Sequence, residues 1–212
     1  MSGNGGVLRM KPQSGFTLIE LMIALVLGLL ITAAAIQLYI TAQKNMAIQQ
    51  GAANLQNSAS FGLEYMLRNI RLANLNSGKP IMDPSILHGG IVLDRANLST
   101  NSTFKITGAD ASNNLMTAGN IGPSNLQGLK SDQLVIQYRN TINNKYDCEG
   151  TEIARNVYVV ERYFLRADSK VNNDPNAALA LACKATSYSG DNDLKLDNLN
   201  GNGEVIIPRV DH

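Results

Sequence analysis

The sequence contains no tryptophan and only two histidines, and its net charge is +1. The charges are scattered and no basic patch with interleaved aromatic residues is present, so the composition argues against nucleic acid as a partner. No Ser/His/Asp set, Cys/His pair, phosphate-binding glycine loop or facing pair of carboxylates appears along the chain. We therefore predict no catalytic residues and no cofactor, and the sequence argues against an enzyme.

The scarcity of histidine and cysteine also argues against a metal site. His88 and His212 do not have ligand spacing to the two cysteines, Cys148 and Cys183. The Asp/Asn/Gly-rich segment 191–204 offers oxygen ligands for calcium, but its turn glycine is misplaced for an EF-hand, so we interpret it as a polar loop. His88 has no acidic or thiol residue near it in the sequence and is predicted to be a solvent-facing loop side chain.

Proline is absent from residues 16–75, and Lys, Arg and His are absent from residues 16–43. Within this stretch, Phe16–Ile36 is apolar almost without interruption, and at ~1.5 Å per helical residue it makes a rod of ~31 Å, enough to cross a bilayer core of ~30 Å. Its single charge is Glu20, and a carboxylate inside such a segment costs about 2.5–3.5 kcal/mol. We predict that residues 16–36 are the transmembrane half of a long helix.

The junction before the apolar run differs from that of a secretory signal peptide, whose cleavage site follows the apolar run. Here a leader that is basic at Arg9 and Lys11 ends at Gly15, before the run begins. Basic residues on this side predict that the leader, residues 1–15, stays in the cytoplasm. Met10 is an alternative start to Met1.

The sequence of this junction, Gly-Phe-Thr-Leu-Ile-Glu-Leu, resembles the processing site of type IV prepilins and type II secretion pseudopilins. The resemblance implies that a membrane peptidase cuts after Gly15 and methylates the new amine of Phe16, and that Glu20 sets the register between subunits. A buried carboxylate needs a partner, and the nearest cation would be the Phe16 amine of the same or a neighbouring subunit. The alternative is an ordinary single-pass anchor whose Glu20 snorkels or is protonated near the interface.

Residues 37–75 are predicted to continue the helix as an amphipathic half. Apolar residues recur there at steps of three or four, and we expect this stripe to pack on a globular head while Arg68 and Arg71 face away. The stripe consists of Leu55, Ala59, Leu63, Met66, Ile70 and Ala73. Gly62 is interpreted as a weak point, at about 1 kcal/mol relative to alanine.

Residues 76–212 are predicted to form a periplasmic head. Its first part is loop-like, with two apolar islands, Gly90–Leu93 and Phe104–Ile106, as candidates for short strands. Further on, four segments rich in β-branched and aromatic residues predict an antiparallel sheet, and Pro208 indicates an edge position. These segments are Gln133–Arg139, Asn156–Arg166, Leu179–Ala185 and Glu204–Val210. The predicted class is α+β: a long helix packed on a small antiparallel sheet, as in pilins.

The two cysteines fall in the part that would lie outside the cytoplasm, where oxidation favours their pairing, with two buried free thiols as the alternative. A cysteine in Tyr-Asp-Cys-Glu-Gly follows the first of these strand segments, and a second cysteine, in Leu-Ala-Cys, follows the next long one. This order resembles that of the PilW-like minor pilins, relatives of the J-type minor pseudopilin. This resemblance implies a disulfide between Cys148 and Cys183. Such chains usually continue beyond a segment like Val-Ile-Ile-Pro-Arg-Val-Asp, so a short variant or a truncated head is expected.

Together the two resemblances imply a minor pilin that helps initiate type IV pili in a tip complex, in support of twitching motility, adhesion or DNA uptake. It would be a single-pass inner-membrane protein with a periplasmic head, and later part of the pilus on the cell surface. Its partners would be other minor pilins, the major pilin, the prepilin peptidase, the inner-membrane assembly platform and membrane lipid. The alternatives are a minor pseudopilin of a type II secretion system and a membrane-anchored periplasmic binding protein or enzyme.

Overall fold

The computed structural model describes residues 15–78, 81–98, 115–169, 178–189 and 199–212. The chain divides into two compact units, Met1–Ala53 and Asn54–His212. A helix, α1, runs from Leu18 to Ile70 and contributes to both units. In the first unit, the described residues from Leu18 onward all belong to this helix. In the second unit, the last turns of the helix pack on a β-sheet.

The end of α1 follows from residues that adopt the left-handed conformation. The prediction extended the helix to residue 75, but it ends at Ile70, and turns occupy residues 71–76. Asn74 and Asn76 have φ angles of 66° and 59°, a region that asparagine tolerates better than most other non-glycine residues. The carbonyl of Leu75 then accepts a hydrogen bond from the backbone N–H of Arg139, at 3.1 Å, which ties the chain to the sheet.

Among the described residues, seven strands and a short 3-10 helix, Arg95–Asn97, accompany α1, and together they make the α+β, pilin-like fold that the sequence predicted. The strands are β1 (Ala118–Gly122), β2 (Ser131–Arg139), β3 (Lys145–Tyr146), β4 (Glu152–Ile153), β5 (Tyr158–Ala167), β6 (Leu179–Tyr188) and β7 (Glu204–Pro208). Five of them make one antiparallel sheet in the order β1-β2-β5-β6-β7, and β3 and β4 form a separate hairpin. The four predicted segments correspond to β2, β5, β6 and β7, and Pro208 lies on an edge strand as expected.

The predicted apolar island Gly90–Leu93 completes one edge of the sheet without forming a regular strand. Ile91 makes an isolated bridge to Ile136 of β2, and the Val92 N–H donates to the carbonyl of Val135 at 2.9 Å. These bonds satisfy backbone groups of β2 beyond the end of β1. The second predicted island, Phe104–Ile106, lies outside the described residues.

The two faces of the sheet pack against different partners, because successive side chains of a strand point to opposite faces. Val159, Glu161 and Tyr163 lie on the face that contacts the last turns of α1 and the segment after it. The opposite face packs against loop residues in a second core cluster. That cluster consists of Val92, Leu98, Leu115, Met116, Val135, Val160, Tyr188 and Leu199.

The predicted stripe on α1 is partly wrong. Leu55 and Leu63 are 51% and 46% exposed, whereas the buried helix residues are Gly62 and Asn69. The physical reason is a close approach of helix and sheet at Gly62, where an added Cβ would collide with the side chain of Ile207 and lie 3.1 Å from the Ile206 carbonyl. Gly62 is therefore a contact position rather than a weak point. Arg68 and Arg71 are exposed, as predicted.

Candidate functional site

The predicted cleavage junction lies immediately before α1. Gly15 and Phe16 are both exposed, and Phe16 shows 89% of its surface to the surroundings. The helix begins two residues after Phe16, at Leu18. The peptide bond between Gly15 and Phe16 thus lies in an exposed segment outside regular secondary structure, where a peptidase can reach it. The rest of the leader, residues 1–14, lies outside the described residues.

Thr17 and Glu20 form a capping box at the first turn of α1. The N–H and the hydroxyl of Thr17 both donate to Glu20 Oε2 at 3.0 Å, and the Glu20 N–H donates to Thr17 Oγ1 at 3.3 Å. This arrangement satisfies backbone N–H groups that would otherwise have no partner at a helix start. Both hydrogen bonds to the carboxylate end on Oε2, so Oε1 keeps its capacity to accept from a further donor.

The surface of α1 beyond this turn is apolar and exposed. An 18-residue window in the helix has a mean hydropathy of 2.5, and none of it is buried. Length and composition therefore qualify α1 as a candidate membrane span. Among the described residues of this segment Glu20 is the only ionisable side chain before Lys44 other than Tyr39, so its carboxylate has no side-chain cation nearby on its own helix.

In the second unit, a buried carboxylate lies between the sheet and the end of α1. Glu161, on β5, is fully buried. Its Oε1 accepts from the Tyr138 hydroxyl at 3.1 Å and its Oε2 accepts from the Tyr163 hydroxyl at 2.7 Å. Asn69 of α1 donates from Nδ2 to the same Tyr163 oxygen at 3.1 Å. These four residues form the carboxylate network, which joins two strands to the helix.

Burial dominates the electrostatics of the carboxylate network. It raises the pKa of the Glu161 carboxyl above its ordinary value, although the hydrogen bonds from Tyr163 and Tyr138 act in the opposite direction. Burial likewise raises the pKa of Asp147, on the β3–β4 hairpin, and lowers that of Lys145. The Lys145 ammonium lies 4.2 Å from the centre of the Tyr138 ring. Among the described residues, the hydroxyls of Tyr138 and Tyr163 stabilise this buried acid, and no ion pair to it is present.

Cys148 and Cys183 are joined in a disulfide, with their Cα atoms 6.0 Å apart. The bond ties the β3–β4 hairpin to the centre of the sheet, because Cys183 lies on β6 opposite Tyr163. The two sulfurs and a Glu161 oxygen lie within 4.8 Å of one another, a spacing suited to a metal ion. Because sulfur in a disulfide is not a thiolate, this set offers a metal only one anionic ligand.

The prediction that His88 faces solvent is wrong. Its ring is half-buried and stacks on Tyr158, with the ring centres 3.8 Å apart. His88 Nδ1 lies 3.0 Å from the hydroxyl of Tyr188, which in turn donates to Gln137 Oε1 at 2.7 Å. The side chain therefore belongs to the packing of the sheet face opposite α1.

The structure brings Ser124, Asp211 and His212 together, although their spacing in the sequence does not indicate such a set. Ser124 Oγ lies 3.1 Å from His212 Nδ1. The Asp211 carboxylate, however, accepts from Asn125 Nδ2 at 2.9 Å rather than from the imidazole, and Asp211 and His212 are both exposed. A catalytic triad needs the acid to orient the histidine, so this contact is not one.

Comparison with known proteins bears on the N-terminal junction. Residues 10–36 match the family model described as the prokaryotic N-terminal methylation motif. The junction is a prepilin-type motif. The match includes Gly15, Phe16 and Glu20 and supports a type IV pilin-like protein, a pilin or a pseudopilin, that is processed by prepilin peptidase. No curated protein and no solved structure matches the chain.

Two features of these sites were not predicted from the sequence. The prepilin-type motif contains Thr-x-x-Glu, which is the signature of a capping box and identifies Thr17 as the helix cap without any structure. The carboxylate network is less evident in the sequence. Glu161 and Tyr163 lie two residues apart and so share one face of β5, but Tyr138 and Asn69 come from distant parts of the chain.

Proposed function

We propose that the chain is a minor pilin that helps initiate assembly of type IV pili as part of a tip complex. The observation that carries the proposal is the prepilin-type motif at residues 10–36, in which an exposed Gly15–Phe16 bond precedes an apolar helix with a single carboxylate. Proteins with this motif are structural subunits rather than enzymes. Pilus-dependent twitching motility, adhesion or DNA uptake would then be the processes that the chain supports.

The capping box supports a recognition role for Glu20. Thr17 occupies Oε2 of the carboxylate and leaves Oε1 oriented by the helix start. After cleavage, the Phe16 amine becomes the cation nearest to this oxygen along the chain, and the same amine on a neighbouring subunit has the same chemistry. Pairing between subunits neutralises both charges in an apolar environment, so it favours one axial register over others.

The proposed location follows from the same features. Before assembly, α1 anchors the precursor in the inner membrane as a single span, with the basic leader in the cytoplasm and the head in the periplasm. Assembly into the pilus then moves the apolar helix from lipid into contact with other pilins, and the platform and peptidase of the inner membrane act on it first. The disulfide of the head suits an oxidising periplasm.

The first test is the intact mass and N-terminal sequence of the protein from native membranes, with and without the prepilin peptidase. A chain that begins at N-methylated Phe16 only when the peptidase is present supports entry into the pilin pathway. A chain that keeps its leader in both strains contradicts the proposal and favours a membrane-anchored periplasmic binding protein or enzyme.

Glu20→Ala tests the assembly role. We expect the variant to insert into the membrane and to be cleaved, but to support few pili, because the subunit has lost the group that pairs with the Phe16 amine. Exposed Glu152→Ala in the head is a matched control that removes a carboxylate without touching the helix. A normal number of pili in the Glu20→Ala strain would refute the assigned role.

A minor pseudopilin of a type II secretion system is the second candidate, because it shares the motif. Deletion of the gene separates the two. Loss of surface pili with normal protein export supports the pilus assignment, and loss of export with normal pili supports the secretion assignment.

A further inference from the structure

The buried acid Glu161 lies beside the disulfide and has no part in the proposed assembly role. A Glu161 oxygen is within 4.8 Å of both sulfurs of Cys148 and Cys183. Glu161 is fully buried, and a carboxylate there needs a compensating benefit, since an apolar or amide side chain would cost less to bury. An acid this close to both sulfurs is in a position to exchange a proton with a cysteine while the disulfide forms.

The two cysteines differ in access to a reaction partner. Cys148 is 7% exposed and lies in the turn of the β3–β4 hairpin, whereas Cys183 is fully buried in the middle of β6. An external disulfide reagent therefore reaches Cys148 first and forms a mixed disulfide there. The buried Cys183 must then attack the Cys148 sulfur, and only a thiolate is an effective nucleophile.

Burial makes this second step difficult without a nearby base. A thiol in apolar surroundings ionises less readily than one in water, and no solvent reaches Cys183 to take its proton. A proton acceptor works best when its pKa lies near the working pH. Burial raises the pKa of Glu161 in that direction, and the acid is held in place by the hydroxyls of Tyr138 and Tyr163.

We propose that Glu161 is the internal proton acceptor that allows Cys183 to close the disulfide with Cys148. In this step the Cys183 thiol gives its proton to the Glu161 carboxylate, and its sulfur attacks Cys148 Sγ. The bond between Cys148 and the external disulfide reagent breaks, and the electron pair leaves with the reagent as a thiolate. The two cysteines are oxidised, the reagent is reduced, and Glu161 remains protonated.

The groups that face Glu161 come from each element packed against it. They are Tyr138 on β2, Tyr163 on β5, Lys145 and Asp147 on the β3–β4 hairpin, and Tyr65 and Asn69 on α1. Arg68 of α1 is exposed and acts on Tyr65 and Lys145 instead. The tyrosines have pKa values raised by burial, so they keep their protons in the working range. Asp147 uses Oδ1 to accept the backbone N–H groups of Glu149 and Thr151, which keeps this oxygen directed to the hairpin turn. Glu161 is the acid placed at the sulfurs.

The test uses the full chain in detergent micelles, reduced and freed of reductant, then oxidised with glutathione disulfide between pH 5 and pH 9. Samples are quenched with acid and an alkylating reagent, and mass spectrometry separates reduced, mixed-disulfide and closed forms. The closure rate in wild type should rise with pH and level off below the range in which a thiol of ordinary pKa, about 8.5, ionises. Formation of the mixed disulfide at Cys148 is the internal reference.

Glu161→Gln keeps the size of the side chain and a hydrogen-bond acceptor but cannot take the proton. We expect closure at pH 7 to slow by at least about tenfold, with mixed disulfide accumulating and the rate now rising up to the thiol range. Glu152→Gln, an exposed carboxylate on β4, should close like wild type. Equal closure rates in wild type and Glu161→Gln overturn the proposal. This holds also if the rates are equal because the reduced head loses its packing.

The wild-type profile alone decides the matter if Glu161→Gln does not fold. A closure rate that climbs without levelling off until the thiol range shows that no internal acid takes the proton. The result is independent of the pilin proposal, because oxidation in micelles requires neither cleavage at Gly15 nor assembly through Glu20.

Discussion

Replacement of Glu161 by glutamine should change how the stability of the head depends on pH. In the folded protein the carboxyl is fully buried, and burial raises its pKa above the ordinary value of 4.5. At pH values between 4.5 and the raised pKa, the folded state therefore holds a proton that the unfolded chain has released. The stabilisation that comes from the protonated acid is complete below pH 4.5 and is lost as the pH rises through the raised pKa.

The size of the effect follows from linkage. In the interval between the two pKa values, each pH unit lowers the free energy of unfolding by at most about 1.4 kcal/mol. For a chain of this size that corresponds to a fall in melting temperature of up to about 3–6 °C per pH unit. Glutamine does not titrate, and its amide can still bond to the hydroxyls of Tyr138 and Tyr163, so the variant should lack this slope.

The assay is thermal unfolding of the full chain in micelles from pH 4 to pH 8, followed by the near-ultraviolet circular dichroism of its tyrosines. The difference between wild type and Glu161→Gln is the quantity of interest, because Asp147 also has a raised pKa and contributes a slope of the same sign to both. We expect the variant to gain stability relative to wild type as the pH rises. Parallel curves, or a wild type that gains on the variant with pH, would refute the reasoning.

Three further sets of substitutions test other contacts. Gly62→Ala should lower the free energy of unfolding by about 1–3 kcal/mol because its Cβ collides with the sheet, whereas Gly51→Ala, with open space around it, should raise or preserve helix stability; thermal melting distinguishes them. Replacing both Cys148 and Cys183 by serine should cost about 2–5 kcal/mol, measured by denaturant unfolding of the oxidised and variant proteins. Thr17→Val should destabilise the first helical turn by about 0.5–2 kcal/mol while Thr17→Ser preserves it, as seen in amide hydrogen exchange.

The elements that the sequence predicted are those with a strong local pattern. The absence of proline and the unbroken apolar run indicated α1, and the enrichment in β-branched and aromatic residues indicated β5. β1 has the sequence Ala-Gly-Asn-Ile-Gly, in which four of the five residues are of types that are depleted in strands. It forms because it pairs with β2, so the information that creates it lies in another part of the chain.

The failed stripe on α1 has a different cause. Hydrophobic periodicity assumes that the face of a helix that packs is apolar, and it selected Leu55 and Leu63. The face that packs instead uses a glycine for close approach and Asn69 for a hydrogen bond to Tyr163. A polar helix residue in a core is stable only when its partner is present, and that partner is set by the register of a distant strand.

The two glutamates of interest differ in what remains free on the carboxylate, and this difference separates their roles. Thr17 bonds only to Oε2 of Glu20, so Oε1 can still accept a donor from outside the subunit. Tyr138 and Tyr163 occupy both oxygens of Glu161, which has no route to an external partner, so proton uptake is the change that is open to it. Loss of the Glu20 carboxylate should therefore impair assembly while the head melts normally, and loss of the Glu161 carboxylate should change melting and disulfide closure while the N-terminal contact is kept. A variant at either position that shifted both properties would show that the head and the assembly contact are coupled in a way that neither local geometry explains.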